Sequence, residues 1–394
     1  MTPPPALDTQ LLSALSAVLG RPEGTIGLHE PEFAGNEWAY VKACIDTGWV
    51  SSVGKYVDEF ECRLAETTGA AYTVAVANGT AALQVALRLA GVEPGDEVLV
   101  PTLTFVATAN AVCHLGAIPH FVDAEEATLG LDPDALADHL EAIVDVRGGR
   151  PVNRLSGRRI AAVVPMHAFG HAMRIERLLE VAGVYAIPVV EDAAESLGTS
   201  YRGRHTGTFG LVGTLSFNGN KIITTGGGGA ILTNDPELGR RAKHLTTTAK
   251  LPHPWRFVHD EVAYNFRLPN LNAALGCAQL ESLPRFLAEK RALAARYRTA
   301  FADTPGLAFV DAPAGSDSNF WLNAIRIKGG GKEAREQLLA AANGAGYQCR
   351  PAWDLMHTLT IFSDMPRAGV AVSEAVAASL INLPSSAKLG VAKV

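Results

Sequence analysis

An α/β fold, with a large, mainly parallel sheet domain and a smaller C-terminal α+β domain, is predicted by three features of this 394-residue chain. Between about residues 72 and 191, short β-branched segments alternate with helical segments, the pattern of a parallel sheet covered on both faces. The length exceeds what one hydrophobic core usually serves, so two domains are expected. Pro252, Pro254 and Pro269 punctuate the chain where the alternation stops, which places a boundary near residues 255–270.

Taken in order, residues 1–50 read as an N-terminal arm with short helices at 11–19 and 38–46, separated by a polar, glycine-containing stretch. Glycines at 48 and 54 bound a loop, and a helix at 57–67 leads to the first strand. Strand–helix pairs follow at 72–77 and 80–89, 97–100 and 105–115, 118–122 and 133–144, and 160–165 and 175–184. A strand at 188–191 ends the series. Strands at 214–217 and 230–233 flank a glycine-rich loop, and a helix at 236–246 follows. From Asn270 a long helix carries Leu271, Leu275, Ala278, Leu283, Ala292 and Tyr297. A strand at 321–327 and a helix at 332–342 complete the smaller domain. The expected division is 1–50 arm, 51–260 large domain, and 261–394 long helix with small domain.

Composition narrows the function classes. Hydrophobic residues make up 48% and charged residues 19%, a globular balance. The net charge of −6 is spread along the chain without a basic stripe, so nucleic acid is not an expected partner. No apolar run has the length of a membrane span, and Met1-Thr2-Pro3-Pro4-Pro5 lacks a leader pattern, so a cytoplasmic protein is expected. Five scattered cysteines suit reduced thiols. His167 and His171 are four apart, but Phe169-Gly170 between them argues against a helical metal pair, and no metal site is expected.

The chemistry concentrates on Lys221, in Ser216-Phe217-Asn218-Gly219-Asn220-Lys221, just before the run Gly226 to Gly229. An amine in this setting can hold an aldehyde cofactor as a Schiff base, the requirement of pyridoxal phosphate. Asp192 closes a β-branched strand and so points into the crevice off the strand's carboxyl end, where it can keep a pyridine nitrogen protonated. Alone it would read as a helix cap; with Lys221 it reads as a cofactor residue. Asn78-Gly79-Thr80 offers small residues and a hydroxyl at a helix N-terminus, a place for a phosphate, and Ser216 is a second phosphate candidate. Phe105 follows the second strand, where a ring can stack on a flat ligand, although position alone favours a core phenylalanine. The glycine run opens no dinucleotide motif, and Asn220 before the lysine breaks the P-loop pattern.

These motifs stand in the order found in fold-type I, aspartate aminotransferase-like pyridoxal-phosphate enzymes. The chain resembles the DegT/DnrJ/StrS family of nucleotide-sugar aminotransferases at Asn78–Leu83, Pro101–Phe105, Glu191–Glu195, Ser216–Lys221 and Tyr264–Arg267. The resemblance spans roughly residues 28–385. It implies a homodimer in which Asn265, with Arg267, reaches the partner's cofactor site. Two positions depart from the family pattern: Glu195 replaces the usual glutamine, whose place is beside the cofactor's phenolic oxygen, and Asn218 replaces a common histidine. Dehydratase relatives carry histidine at the Schiff-base position, so Lys221 implies transamination.

The flanks Leu28–Pro31, Gly35–Glu37, Gly48–Val57, Arg350–Trp353 and Ile381–Ser386 resemble the LegC-type branch. That resemblance implies amination, with glutamate as donor, at C4 of a UDP-linked 4-keto-6-deoxy-N-acetylhexosamine, toward legionaminic acid or related bacterial glycans. Lys221 is expected to shuttle protons as the cofactor alternates between pyridoxal and pyridoxamine phosphate. His29, Trp49, Ser51 and His167, with Arg267, are the substrate-side candidates. Amination at C3, or a non-catalytic pyridoxal-phosphate-binding regulator, stands as the alternative.

Overall fold

The computed structural model describes residues 6–391; Met1–Pro5 and residues 392–394 lie outside them, and with them the leader reading and the end of the C-terminal tail. In chain order the helices are α1 (Leu7–Leu19), α2 (Glu37–Thr47), α3 (Lys55–Thr68), α4 (Gly79–Leu89), α5 (Val106–His114), α6 (Pro133–Ile143), α7 (Ile175–Val184), α8 (Pro236–Thr246), α9 (Asn270–Ala302), α10 (Lys332–Gly344) and α11 (Ala371–Ser379). The strands of the large unit are β1 (Tyr72–Val76), β2 (Glu97–Pro101), β3 (Ile118–Val122), β4 (Val144–Arg147), β5 (Arg150–Asn153), β6 (Ile160–Val163), β7 (Val190–Asp192), β8 (Ser200–Tyr201), β9 (Arg204–His205), β10 (Val212–Ser216) and β11 (Gly229–Thr233). Those that follow are β12 (Leu307–Phe309), β13 (Ser316–Asp317), β14 (Asn323–Ile327), β15 (Arg350–Pro351) and β16 (Leu380–Leu383).

The central layer runs β3-β2-β6-β7-β10-β11-β1. Parallel pairings join β3 to β2 and β2 to β6. Parallel bridges Val163↔Val189 and Met166↔Asp192 carry the layer on to β7. β7 pairs parallel with β10, whereas β11 is antiparallel to both β10 and β1. Only β11 therefore runs against the others, which agrees with the mainly parallel sheet expected. The strands read as continuous apolar runs because helices cover both faces; β2 and β11 are buried throughout.

Local chemistry starts the helices. Asp132 and Asp235 each accept two first-turn N–H bonds, with proline at the next position. Asn78 caps α4 by accepting from Ala81 N. One core cluster lies between the sheet and α4, α5 and α8, with Val76, Val98, Val100 and Phe121 among its members. A second joins Tyr56, Phe60 and Leu64 of α3 to Leu215, Phe217 and α9.

The smaller sheet runs β12-β14-β16-β15 and is antiparallel throughout. α1 packs here: Leu11, Leu15 and Val18 share a cluster with Leu293, Tyr297, Ile325 and Leu338. The first helix of the expected arm is thus docked on the C-terminal unit, while α2 and α3 lie along α9. Its apolar positions at 11, 14, 15, 18 and 19 are buried, the stripe that a packed helix needs. The strand expected at 321–327 begins only at Asn323. Side chains replace the ladder before it: Trp321 N donates to Asn319 Oδ1 (2.7 Å) and Phe320 N to Ser318 Oγ (3.1 Å). Phe320 takes a left-handed φ of 47° there.

Candidate active site

One cavity opens at the carboxyl ends of β1, β2, β6, β7 and β10, the edge where ligands enter open α/β sheets. It is lined by Gly79, Thr80, Phe105, Asp192, Glu195, Ser216 and Lys221, all read from the sequence as cofactor residues. They arrive from the ends of β1, β2, β7 and β10. Helix α5 starts one residue later than expected, and Phe105 is its extended N-cap, 48% exposed. That placement puts the ring at the cavity wall rather than in the core.

Asp192 is buried and takes two fixed donors, Thr108 Oγ1 to Oδ2 (2.8 Å) and Ala194 N to Oδ1 (3.1 Å). Burial still pushes its carboxyl above the usual range, against the opposing pull of Thr108, Ala194 and Lys221. Lys221 Nζ lies 3.3 Å from Glu195 Oε1 and 4.2 Å from the centroid of the Trp321 ring. Glu195 Oε2 accepts from Phe169 N (2.8 Å), and burial raises the Glu195 carboxyl to about 7. Phe169 delivers that N–H from a left-handed conformation, φ 55°, while its ring stacks on Trp353 at 4.7 Å.

The far end of the cavity is a cradle of small residues. A Cβ on Gly79 would sit 2.9 Å from Ser216 Cβ, and one on Gly229 would meet the backbone of Asn78 at 2.6 Å. Glycine at both positions lets the N-terminus of α4 approach the β10–β11 turn. The N–H groups of Gly79 and Thr80 belong to a first helical turn, whose donors lack intrahelical acceptors, and they border the same cavity as the Thr80 and Ser216 hydroxyls. Amine, buried carboxylate, half-exposed ring and anion cradle fit pyridoxal phosphate in its parts.

The remaining candidates lie elsewhere. His167 is fully buried: its Nε2 is 3.0 Å from Glu191 Oε2, and its Nδ1 accepts from Met173 N. Glu191 also accepts from the N–H groups of Gly207, Phe209 and Gly210. Burial would raise the Glu191 carboxyl, but His167 and the backbone donors outweigh it and hold it low. His167 therefore braces the β7 end instead of lining the cavity. Both ring nitrogens of His29 are buried without a hydrogen-bond partner, and its ring lies 6.4 Å from that of Trp321. Trp49 lines an outer depression with Val53, Lys55 and Asn270, and Arg267 lines the adjoining one with Ser52 and Lys243. Ser51 is exposed beside them, its carbonyl accepting from Asn270 N. Asn265 is exposed and accepts from Arg267 Nε (2.9 Å).

The structure adds residues that the sequence reading passed over. Thr108 was within reach, since it follows Phe105 in the same motif. Trp321, Trp353 and Phe169 were not, because segments distant in sequence bring them in. Among the described residues, one group has metal-ligand proximity, His244, Asp260 and Glu261, and there Arg88 and Arg241 already occupy Glu261.

Comparison with known proteins decides the class. The profile of the DegT/DnrJ/EryC1/StrS aminotransferase family matches residues 31–394. The chain belongs to this family. It is 37% identical to EpsN of Bacillus subtilis over 86% of this chain and 84% of that one. To the GDP-perosamine synthase of Caulobacter vibrioides it is 35% identical, covering 92% and 94%. Among solved structures, the aminotransferase TlmJ of Streptoalloteichus hindustanus superposes with a TM-score of 0.83 at 29% identity, covering 92% and 94%. The family member described here is a pyridoxal-phosphate-dependent aminotransferase of fold-type I.

Proposed function

We propose that this aminotransferase moves an amino group from glutamate to C4 of a UDP-linked 4-keto-6-deoxy-N-acetylhexosamine, as LegC-type enzymes of the legionaminic-acid pathway do. The observation that carries the aminotransferase reading is the meeting of Lys221, Asp192 and the α4 N-terminus in one cavity. The relative named GDP-perosamine synthase supports a nucleotide-linked sugar as acceptor. The LegC-like flanks favour UDP over GDP and C4 over C3.

Pyridoxal phosphate, when bound, supplies an electron sink for the charge left as the donor's Cα–H bond breaks. The chain's residues divide the other tasks. Lys221 Nζ anchors the cofactor, and once displaced it carries the proton from the donor's Cα; with the sugar it runs the transfer in reverse at C4. Asp192 stays ionised against the ring nitrogen, helped by Thr108 and the Ala194 N–H. Gly79, Thr80 and Ser216 would hold the phosphate, and Phe105 would offer its ring to the flat cofactor.

A second copy of the chain completes the site in this reading. Asn265, Arg267, Trp49 and Ser51 lie outside the cavity of their own chain. Trp38, Ile45, Trp49, Val53, Trp255, Phe257 and Val262 are all more than half exposed, apolar side chains of the kind that association covers. His29 and His167 remain the substrate-side proposals within the chain, the first beside Trp321 and the second through the β7 end. A soluble, cytoplasmic setting fits a nucleotide-sugar substrate, and among the described residues no helix is long and apolar enough to cross a membrane.

The test is incubation with glutamate and a panel of UDP- and GDP-linked keto sugars, with mass spectrometry for the amine and NMR connectivity for its carbon. Amination of GDP sugars alone, or at C3, would overturn the substrate proposed. A regulator without turnover would show no product with any sugar.

A further inference from the structure

Two buried carboxylates, Asp192 and Glu195, face the same cavity, and Lys221 is the one cation among the described residues that line it. The carboxylates are not served alike. Both oxygens of Asp192 have fixed neutral donors, Thr108 and the Ala194 N–H. Glu195 has one such donor, the Phe169 N–H on Oε2; its Oε1 meets only Lys221 Nζ, at 3.3 Å. An ion pair in so dry a place gains less from its charges than it loses in hydration unless further bonds support it. Oε1 is therefore the carboxylate oxygen left open to a proton from Nζ.

The pose of Nζ is built. Trp321 lies over it at 4.2 Å, and the indole is fixed by Nε1 donating to Asn220 O (2.7 Å). The Trp321 backbone is held by Asn319 Oδ1 and by Nζ of the buried Lys290, 3.1 Å from Trp321 O. Other titratable groups nearby are Asp192, whose charge disfavours ionisation of Glu195, His167 behind it on Glu191, His29 beside the Trp321 ring, and Lys290 on the Trp321 carbonyl. Burial moves the Glu195 carboxyl to about 7, where an exchange with an amine is useful at neutral pH.

We propose that Glu195 is a positioning residue that shares one proton with Lys221: Oε1 takes it from Nζ, so that the amine is presented neutral while Trp321 keeps it in reach. The Nζ–H bond breaks as the Oε1–H bond forms, and the net charge of the pair does not change. Glutamine at position 195 cannot do this, because its amide takes up no proton at neutral pH. The proposal rests on Lys221 being the cofactor-holding amine.

Cofactor-free protein carrying glutamate labelled with ¹³C at the side-chain carboxyl tests it, with the Glu195 resonance identified by its loss in Glu195→Gln. The expected titration midpoint is near pH 7, and Lys221→Met should move it upward by removing the cation beside Oε1 that opposes protonation. A Glu195 resonance that stays ionised down to about pH 5, or that Lys221→Met leaves unmoved, overturns the proposal. A second measurement mixes cofactor-free protein with pyridoxal phosphate and follows the visible band against pH. The wild-type rate should rise through a step near pH 7 that Glu195→Gln lacks; the same step in both would also overturn it. If mass spectrometry finds no covalent capture at Lys221, the cofactor assignment fails instead, and the carboxyl titration still decides whether the pair shares a proton.

Discussion

Replacing Thr108 by valine removes one hydroxyl and tests the charge state assigned to Asp192. Thr108 is buried on α5, and its Oγ1 sits 2.8 Å from Asp192 Oδ2. Valine keeps the branched shape, so what is lost is the hydroxyl's bonds, to Asp192 and to Thr104 Oγ1 (3.0 Å). A hydrogen bond to an ionised group contributes about 1.5–3 kcal/mol. Its loss should raise the Asp192 carboxyl further beyond the rise burial already causes. The sign follows from linkage. A carboxyl raised in the folded state makes the native protein bind protons more tightly, so stability falls as pH climbs through the folded pKa. In cofactor-free protein, the deficit of Thr108→Val against wild type should be complete above the variant's Asp192 pKa and should shrink as pH falls below it. Urea unfolding across that range measures this. In the loaded enzyme, the acid limb of the glutamate half-reaction, followed by stopped-flow absorbance, should move to higher pH, while Thr108→Ser should leave it in place. If the acid limb of Thr108→Val coincides with that of wild type, Asp192 is not the group whose ionisation the reaction needs.

Other perturbations separate the remaining roles. Lys221→Ala should bind pyridoxal phosphate only reversibly, with no covalent adduct by mass spectrometry; a retained adduct would place the amine elsewhere. Gly79→Ala adds a methyl 2.9 Å from Ser216 Cβ. Overpacking of that kind costs about 1–3 kcal/mol, so cofactor dissociation by equilibrium dialysis should increase, although alanine is the better helix former; unchanged affinity would remove the cradle from the site. Lys290 is buried, with burial alone lowering its amine to about 7. Its depressed pKa means that the unfolded chain binds more protons above pH 7, so stability rises with pH between the folded and unfolded values. Lys290→Met should flatten that rise, as read by urea unfolding at two pH values. Lys221→Ala and Asn265→Ala proteins, each inactive alone, should recover activity when mixed if Asn265 serves the partner's cavity; separate failure of every mixture would return Asn265 to its own chain.

How much of this was legible depends on how far each signal travels along the chain. The sheet was readable because strand ends, caps and apolar runs are local: Asp132-Pro133 and Asp235-Pro236 start helices where expected, and β3 keeps its predicted limits. The hairpin β4–β5 and the two-residue strands β8 and β9 were not anticipated, because they are short and carry no long apolar alternation. In the site, the seven cavity residues read from sequence lie at the carboxyl ends of strands or in the loops that leave them, the edge where topology places a ligand before any packing is known. His167 also follows a strand end, but its direction is set by Glu191, which needs donors once β7 buries it. Trp321 marks the limit of such reading. Its apolar neighbours assign it to a strand, but Asn319 and Ser318 cap the backbone first and release the indole from the ladder. The ring then crosses from the smaller unit to cover Lys221. A substitution at Asn319 should thus be felt at the amine without touching it: Asn319→Ala frees the Trp321 N–H and the carbonyls of Glu195 and Leu197 together. Lys221 would lose its ring and its acid in one change, which no sequence window around residue 221 contains.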